Sequence, residues 1–224
     1  MINNDQLNTL IKKARETTPK RNFTQSAELT LVIKDIDVKK GFSLNETVVL
    51  PNPTKTGSTL CVLGTGDLGT RARRAGVDTV MEPESLDRLG SHRRDARKIV
   101  RSHDFFLADA TIMSSVGRSL GQFLGPKGKM PTPLPYGAPI ENIAARLRSS
   151  IRIRSKNQLN MSTKIGDETL TDEQIAANAN AVIAAIEKKL PQGDKNLRNT
   201  IIKFSMGKAI KLNSLSKKTK SESK

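Results

Sequence analysis

A chain of 224 residues can form one or two packed domains, and its 38 Lys and Arg against 22 Asp and Glu leave a formal charge of +16. That excess points to a polyanionic partner, nucleic acid first; without a long apolar run, a signal-type start or a basic helix with a bulky apolar face, a membrane is not expected. No Trp, one Tyr and 3% aromatics leave few rings on which single-stranded bases could stack, so a bound RNA is expected to be read through folded shape and phosphates.

The spacing of Leu7, Leu10, Ile11 and Ala14 predicts a helix over 3–18, with Asn3 or Asn4 as cap and Pro19 as stop. Lys20 and Arg21 then lead to Phe23 and a run in which Ala27, Leu29, Leu31 and Ile33 alternate with Ser26, Glu28 and Thr30. This is the pattern of a half-buried strand, whose polar row faces water or a ligand. A short strand is expected over 46–50, and the Pro/Thr/Gly-rich stretch 51–57 reads as a crossing between domains. The lone Cys61 lies in the apolar run 59–63, so an inert buried thiol in a reducing, cytoplasmic compartment is expected.

From 59 onward strands alternate with helices: strands at 59–63, 77–81 and 105–107, helices at 68–75, 84–89, 95–102 and 114–123, and one more through Ile140, Ile143, Ala144 and Leu147. Such alternation predicts a parallel sheet covered on both faces. The stretch 121–135, GQFLGPKGKMPTPLP, follows neither period, and its glycines and prolines read as a stiff, irregular loop, on residue chemistry alone a surface connection with its lysines in water. Alternation returns in Ile151-Arg152-Ile153-Arg154, as though the first domain resumes, which sets boundaries of 1–57 with 150–224, and 58–149. Thr171 and Gln174 form a capping-box pattern before the helix face Ile175, Ala179, Val182, Ile183, Ile186 and Leu190. Strands over 200–205 and 208–212 meet at Met206-Gly207, and the Ser/Lys tail from Ser214 has too little apolar content to order it.

Gly64-Thr-Gly66-Asp-Leu-Gly69 is a GxGxxG between a predicted strand and a predicted helix, with Glu82 or Glu84 about twenty residues on, as a dinucleotide site requires. Against that reading, Asp67 would face incoming phosphates and the domain is short of the doubled unit a dinucleotide spans; a tight βα turn is the alternative. A P-loop fails at Gly128-Lys129, because Phe123 and Met130 stand where Gly and Ser or Thr are needed. His92, His103 and Cys61 make no metal spacing, and no carboxylate pairs with a nucleophile, so neither metal, cofactor nor catalytic residue is expected. Basic clusters are the stronger theme: Lys39-Lys40, Arg71 with Arg73-Arg74, Arg93-Arg94 with Arg97-Lys98, Lys127 with Lys129, Arg152 with Arg154, and Lys203, Lys208 and Lys211. Together they would steer and hold a polyanion.

Leu120 and Leu124, then Gly125-Pro126-Lys127-Gly128, Met130 and Pro131, resemble the signature of the ribosomal protein L1 family, and the likeness runs from the first helix to Leu212. Phe23 to Glu28 and Lys34 to Val38 look like its archaeal branch. The resemblance implies a mixed α/β and α+β fold, in which a split α+β RNA-binding domain made of both chain ends is interrupted by an inserted three-layer, Rossmann-like α/β domain. It also implies a non-enzymatic constituent of the large ribosomal subunit, cytoplasmic and ribosome-bound, monomeric when free. The partners implied are the stalk region of large-subunit rRNA, the exit-site tRNA whose release the stalk helps, and the protein's own mRNA, whose translation it represses.

Carried over residue by residue, the implied RNA contacts are Phe23, Ser26, Glu28, Ser205, Met206 and Gly207, with Arg21, Thr24, Asn199, Lys203 and Lys208 beside them. Ser26 and Ser205 would bond ribose hydroxyls, Glu28 would accept from hydroxyls or base amines, and Gly207 would let the RNA backbone come close. The chain departs from the family pattern at Lys208, where Pro is common, and at Asn199, where Ser is usual. The 121–135 stretch would pack near a hinge or touch tRNA or a second RNA helix. Two rivals remain: a nucleotide-binding enzyme at Gly64–Gly69, and a coating protein that holds nucleic acid by charge alone.

Overall fold

Leu7, Leu10, Ile11 and Ala14 are buried on one side of α1 (Asn4–Glu16), whose ends carry Asp5 and then Lys13 and Arg15, in the sense that complements the helix dipole. The computed structural model describes residues 4–37, 42–135 and 137–213. Asn3, Val38, Lys39, Lys40 and the tail from Ser214, on which expectations were placed, lie outside them. The described chain divides into two compact units, one drawn from both chain ends up to Lys55 and from Ile151 onward, the other Thr56–Ser150.

In the split unit, β1 (Ser26–Ile33) alternates strictly between half-buried and buried residues. It is the second-last strand of an antiparallel sheet of order β10-β9-β1-β8, formed with β8 (Asn160–Asp167), β9 (Leu197–Phe204) and β10 (Ile210–Asn213). Its apolar row joins Leu7, Ile11, Ile202 and Phe204 in one core with α7 (Asp172–Glu187), which opens on the expected capping box: Thr171 Oγ1 accepts from the Gln174 N–H and Gln174 Oε1 accepts from the Thr171 N–H. With both helices packed into the inner face, the outer face carries the polar row. A separate two-stranded ribbon pairs β2 (Ser43–Val49) with β7 (Ser150–Lys156).

The inserted unit is a parallel sheet of order β4-β3-β5-β6, built from β3 (Leu60–Leu63), β4 (Thr79–Met81), β5 (Phe105–Asp109) and β6 (Thr132–Leu134). Side-chain alternation feeds two cores. Cys61, Leu63, Phe106 and Ala108 pack with α3 (Pro83–Ser91), α4 (Arg93–Ser102) and α5 (Met113–Lys127), while Val62 and Leu107 pack with α2 (Gly66–Arg74) and α6 (Ile140–Arg148). The sheet is therefore covered on both faces, a three-layer α/β arrangement.

The stretch 121–135 is not the loop its composition suggests. Residues 121–127 are the last turns of α5, because Val116, Leu120 and Leu124 recur every fourth residue and are all buried. Pro126 withholds one hydrogen bond in the final turn, a cost that burial of the two leucines outweighs. Gly128, left-handed at φ 65°, ends the helix: its N–H donates to the Gly125 carbonyl at 2.9 Å, and the Lys129 N–H to the Leu124 carbonyl at 3.0 Å, a Schellman stop. Lys129 is not in water either; its Nζ donates to the carbonyls of Val100 at 3.2 Å and His103, holding the end of α4. Pro133 sits in β6, an edge strand, where a missing N–H can be tolerated.

Candidate nucleic-acid interface

Strand register decides which side chains share a surface. On the outer face Glu28 stands opposite Lys203 of β9 and Lys164 of β8, Thr30 opposite Ile201 and Ser162, and Val32 opposite Asn199 and Asn160, with Lys211 of β10 opposite Ile201. Two of the lysines are held by carboxylates: Lys203 lies 3.7 Å from Glu28, and Lys164 lies 2.7 Å from the nearly buried Asp167. Thr30 Oγ1 donates to Ser162 Oγ at 3.1 Å. With Lys211 added, the surface is largely polar and amide-bearing, with Val32 and Ile201 as its apolar members, and positive by a small excess, which suits phosphates and ribose hydroxyls. The residues from β8 were missed at the sequence level, because the strand itself was missed; the alternation of Met161, Thr163 and Ile165 with Ser162 and Lys164 was the available signal.

One edge of this face is closed by a polar clasp around Gln25, which is fully buried. Its side-chain amide donates to the Pro19 carbonyl at 2.9 Å, and its Oε1 accepts from the Met206 N–H at 3.0 Å. Next to it the Ser26 N–H donates to Ser205 Oγ at 3.2 Å and the Ser205 N–H to the Ser26 carbonyl at 3.1 Å. The loop entering β1 and the turn leaving β9 are thus tied together. Phe23 and Met206, 53% and 52% exposed, flank the clasp, although side chains of that size usually seek a core. Gln25 was also passed over in the sequence, since a single glutamine before a strand carries no periodic signal.

Of the residues expected at this surface, Phe23, Ser26, Ser205, Met206 and Gly207 gather at the clasp, with Arg21, Thr24 and Lys208 exposed around it. Glu28 and Lys203 lie directly behind as a pair. Asn199 does not join them; it faces Val32, five residues back from Phe204 along β9, on the order of 17 Å away. Two of these residues also have partners within the protein. Ser205 Oγ is already engaged by Ser26 backbone. On the side where a Cβ would project, the space beside Gly207 is filled by Thr18 Oγ1 from the residues that follow α1, so glycine at 207 also serves packing within the unit.

The GxGxxG loop has internal reasons for its glycines. A Cβ on Gly64 would meet the Leu68 side chain, Gly66 has φ 48°, and Gly69 brings α2 against Val80. Asp67 is paired with Arg71 at 3.0 Å. Among the described residues no group of three or more His, Cys, Asp or Glu side chains is placed to hold a metal ion, and no helix is long and apolar enough to cross a membrane.

Comparison with known proteins decides against the enzyme. The sequence model of the "Ribosomal protein L1p/L10e family" matches residues 11–208. The chain belongs to the ribosomal protein L1p/L10e family. Large ribosomal subunit protein uL1 of Cenarchaeum symbiosum is 51% identical over 211 residues, covering 94% of this chain and 97% of the relative. The uL1 proteins of Methanospirillum hungatei, at 42% over 95% of this chain and 99% of the relative, and of Methanocaldococcus jannaschii, at 39% over 90% and 92%, are also similar. This L1 family chain is therefore an archaeal-type ribosomal protein, structural and not enzymatic, and as a ribosomal protein it is ribosome-bound in the cytoplasm. The nucleotide-binding enzyme is set aside, and the L1 fold accounts for the mixed α/β architecture.

Proposed function

We propose that the split unit of this L1 family protein binds a folded segment of large-subunit rRNA, the stalk region, through the outer face of its antiparallel sheet and the Gln25 clasp. The observation that carries the reading is the pairing of an exposed polar and basic strand face with two exposed large apolar side chains, Phe23 and Met206, at a rigid edge. Rigidity matters because shape recognition needs contacts fixed before binding. Bound in this way the protein forms the mobile stalk near the tRNA exit site and helps tRNA release. It is a monomer when free, and it represses translation of its own mRNA where that message offers a similar fold. Family membership and the uL1 names of the relatives support this assignment to the large subunit.

The test is a competition titration at about 0.3 M salt, where phosphate-only contacts are largely stripped, with the stalk rRNA fragment against unrelated duplex RNA. Strong preference for the fragment is expected; equal binding of both would overturn the proposal. Phe23→Ala should weaken binding to the fragment by about 1–3 kcal/mol if the ring contacts a base. Lys164→Ala should lower the salt slope by about 1 if it meets a phosphate.

A further inference from the structure

We infer that the inserted unit carries a second RNA site, a groove between α4 and the end of α5 that takes the phosphodiester backbone of an RNA strand. The inference rests on the proposal that the protein works on RNA, but it uses a different surface. The groove holds about 360 Å³ and is lined by Arg93, Arg97 and Arg101 from α4 and by Lys127 from α5, with Val100 and Phe123 as its apolar lining.

Several observations distinguish it from an ordinary solvated face. Arg93, Arg97 and Arg101 recur every fourth residue, so their backbone positions rise roughly 6 Å apart on one face of the helix, an array of cations in line with the groove. Like charges at that interval destabilise a helix, and Arg93 and Arg94 in the first turn oppose the dipole that Asp95 complements, so helix stability does not account for the arginines. Among the described residues none of Arg93, Arg94, Arg97, Lys98, Arg101 and Lys127 has an ion-pair partner, whereas Arg71 and Arg73 pair with Asp67 and Glu82. This leaves six cations against a single carboxylate of the helix, Asp95, which among the described residues pairs with none of them.

The chemistry of the lining selects the occupant. Arginine matches phosphate geometry with two parallel hydrogen bonds, and the half-buried Phe123 ring, with Gln122 beside it, can meet a ribose or base and its edge. A planar lipid surface would not enter a groove between two helices, and an acidic peptide would make no use of the ring and amide together. The L1 signature that ends α5 shapes this site: Gly128 stops the helix so that Lys127 stands at the groove, and the intervening Lys129, outside the signature, ties the end of α4 in place.

The full-length protein, saturated with the stalk fragment so that the split unit is occupied, is titrated with labelled oligouridylate across a range of salt. The variant R93Q/R97Q/R101Q should lose about tenfold or more in affinity for the oligomer at low salt, and its salt slope should fall by about 2, roughly 0.7 for each single-strand phosphate contact removed. Lys127→Gln, on the other helix, should lower the slope by about 0.7. Wild-type slope and affinity in both variants would overturn the site, as would equal displacement of the oligomer by polyglutamate, which would assign the groove to an acidic peptide. If no stalk complex forms, the same titration on free protein compares the parent with R93Q/R97Q/R101Q and Lys127→Gln, whose changes leave the split unit untouched, so failure of the first proposal is separable from failure of this one.

Discussion

The Met206 N–H donates to the side-chain oxygen of Gln25 at 3.0 Å, joining residues 181 positions apart and fixing the turn after β9 against the loop before β1. Gln25 is fully buried, so its replacement by Leu leaves the Met206 N–H and the Pro19 carbonyl without partners. The expected cost is about 1–3 kcal/mol of stability in the split unit. Urea unfolding followed by amide exchange at Met206 checks it; unchanged exchange would show that the clasp does not hold the turn.

Gly207 and Thr18 form a second long-range relationship at the same edge. A Cβ at 207 would strike Thr18 Oγ1 and come 3.4 Å from the Phe204 carbonyl, so Gly207→Ala is expected to destabilise by about 1–3 kcal/mol through overpacking. Thr18→Ala removes the hydroxyl but keeps Cβ, so the double variant should recover part of that loss. A double-mutant cycle with no coupling would place the strain elsewhere.

Lys129, the position between Gly128 and Met130 that is not part of the L1 signature, has a structural task of its own. Lys129→Met keeps the apolar stem but removes the Nζ donations to Val100 and His103, and should cost the inserted unit about 1–3 kcal/mol. Amide exchange in α4 should rise before that in β3 and β5. Equal protection in the variant and the parent would mean that water replaces the cap without loss.

Cys61 is fully buried and its thiol is pushed up to about 12 by desolvation. Since the thiolate is the reactive species, iodoacetamide should label Cys61 slowly in the native protein and fully in denaturant. The linkage has a definite sign. In the unfolded chain the thiol titrates near about 8.5, so the unfolded state loses its proton first, and this contribution to stability falls as pH rises from about 9 toward 12. Stability constant across that window would show that the thiol is hydrated in the fold.

Local periodicity made much of the fold legible. The stripes of α1 and α7, the alternation of β1 and the capping box at Thr171 are contacts between residues one to eight apart, and spacing records them directly. The stretch 121–135 was misread for a related reason. Glycine and proline weigh as breakers in a local reading, whereas the buried Leu120 and Leu124 extend α5 through packing on β3, β5 and their neighbouring helices. β8 was lost because its small polar residues dilute a period that only pairing with β1 makes decisive.

The sequence by itself determined the positive charge, the apolar faces of the main helices and first strand, and the signature that marks the L1 family, since each is a property of composition or of neighbours along the chain. Only the tertiary structure decided that Glu28 lies between Lys164 and Lys203, that Gln25 holds Met206, that Thr18 fills the space beside Gly207 and that Lys129 caps α4. Each of those contacts depends on strand register or on the direction of a side chain across a packed core, and neither is encoded by spacing along one chain.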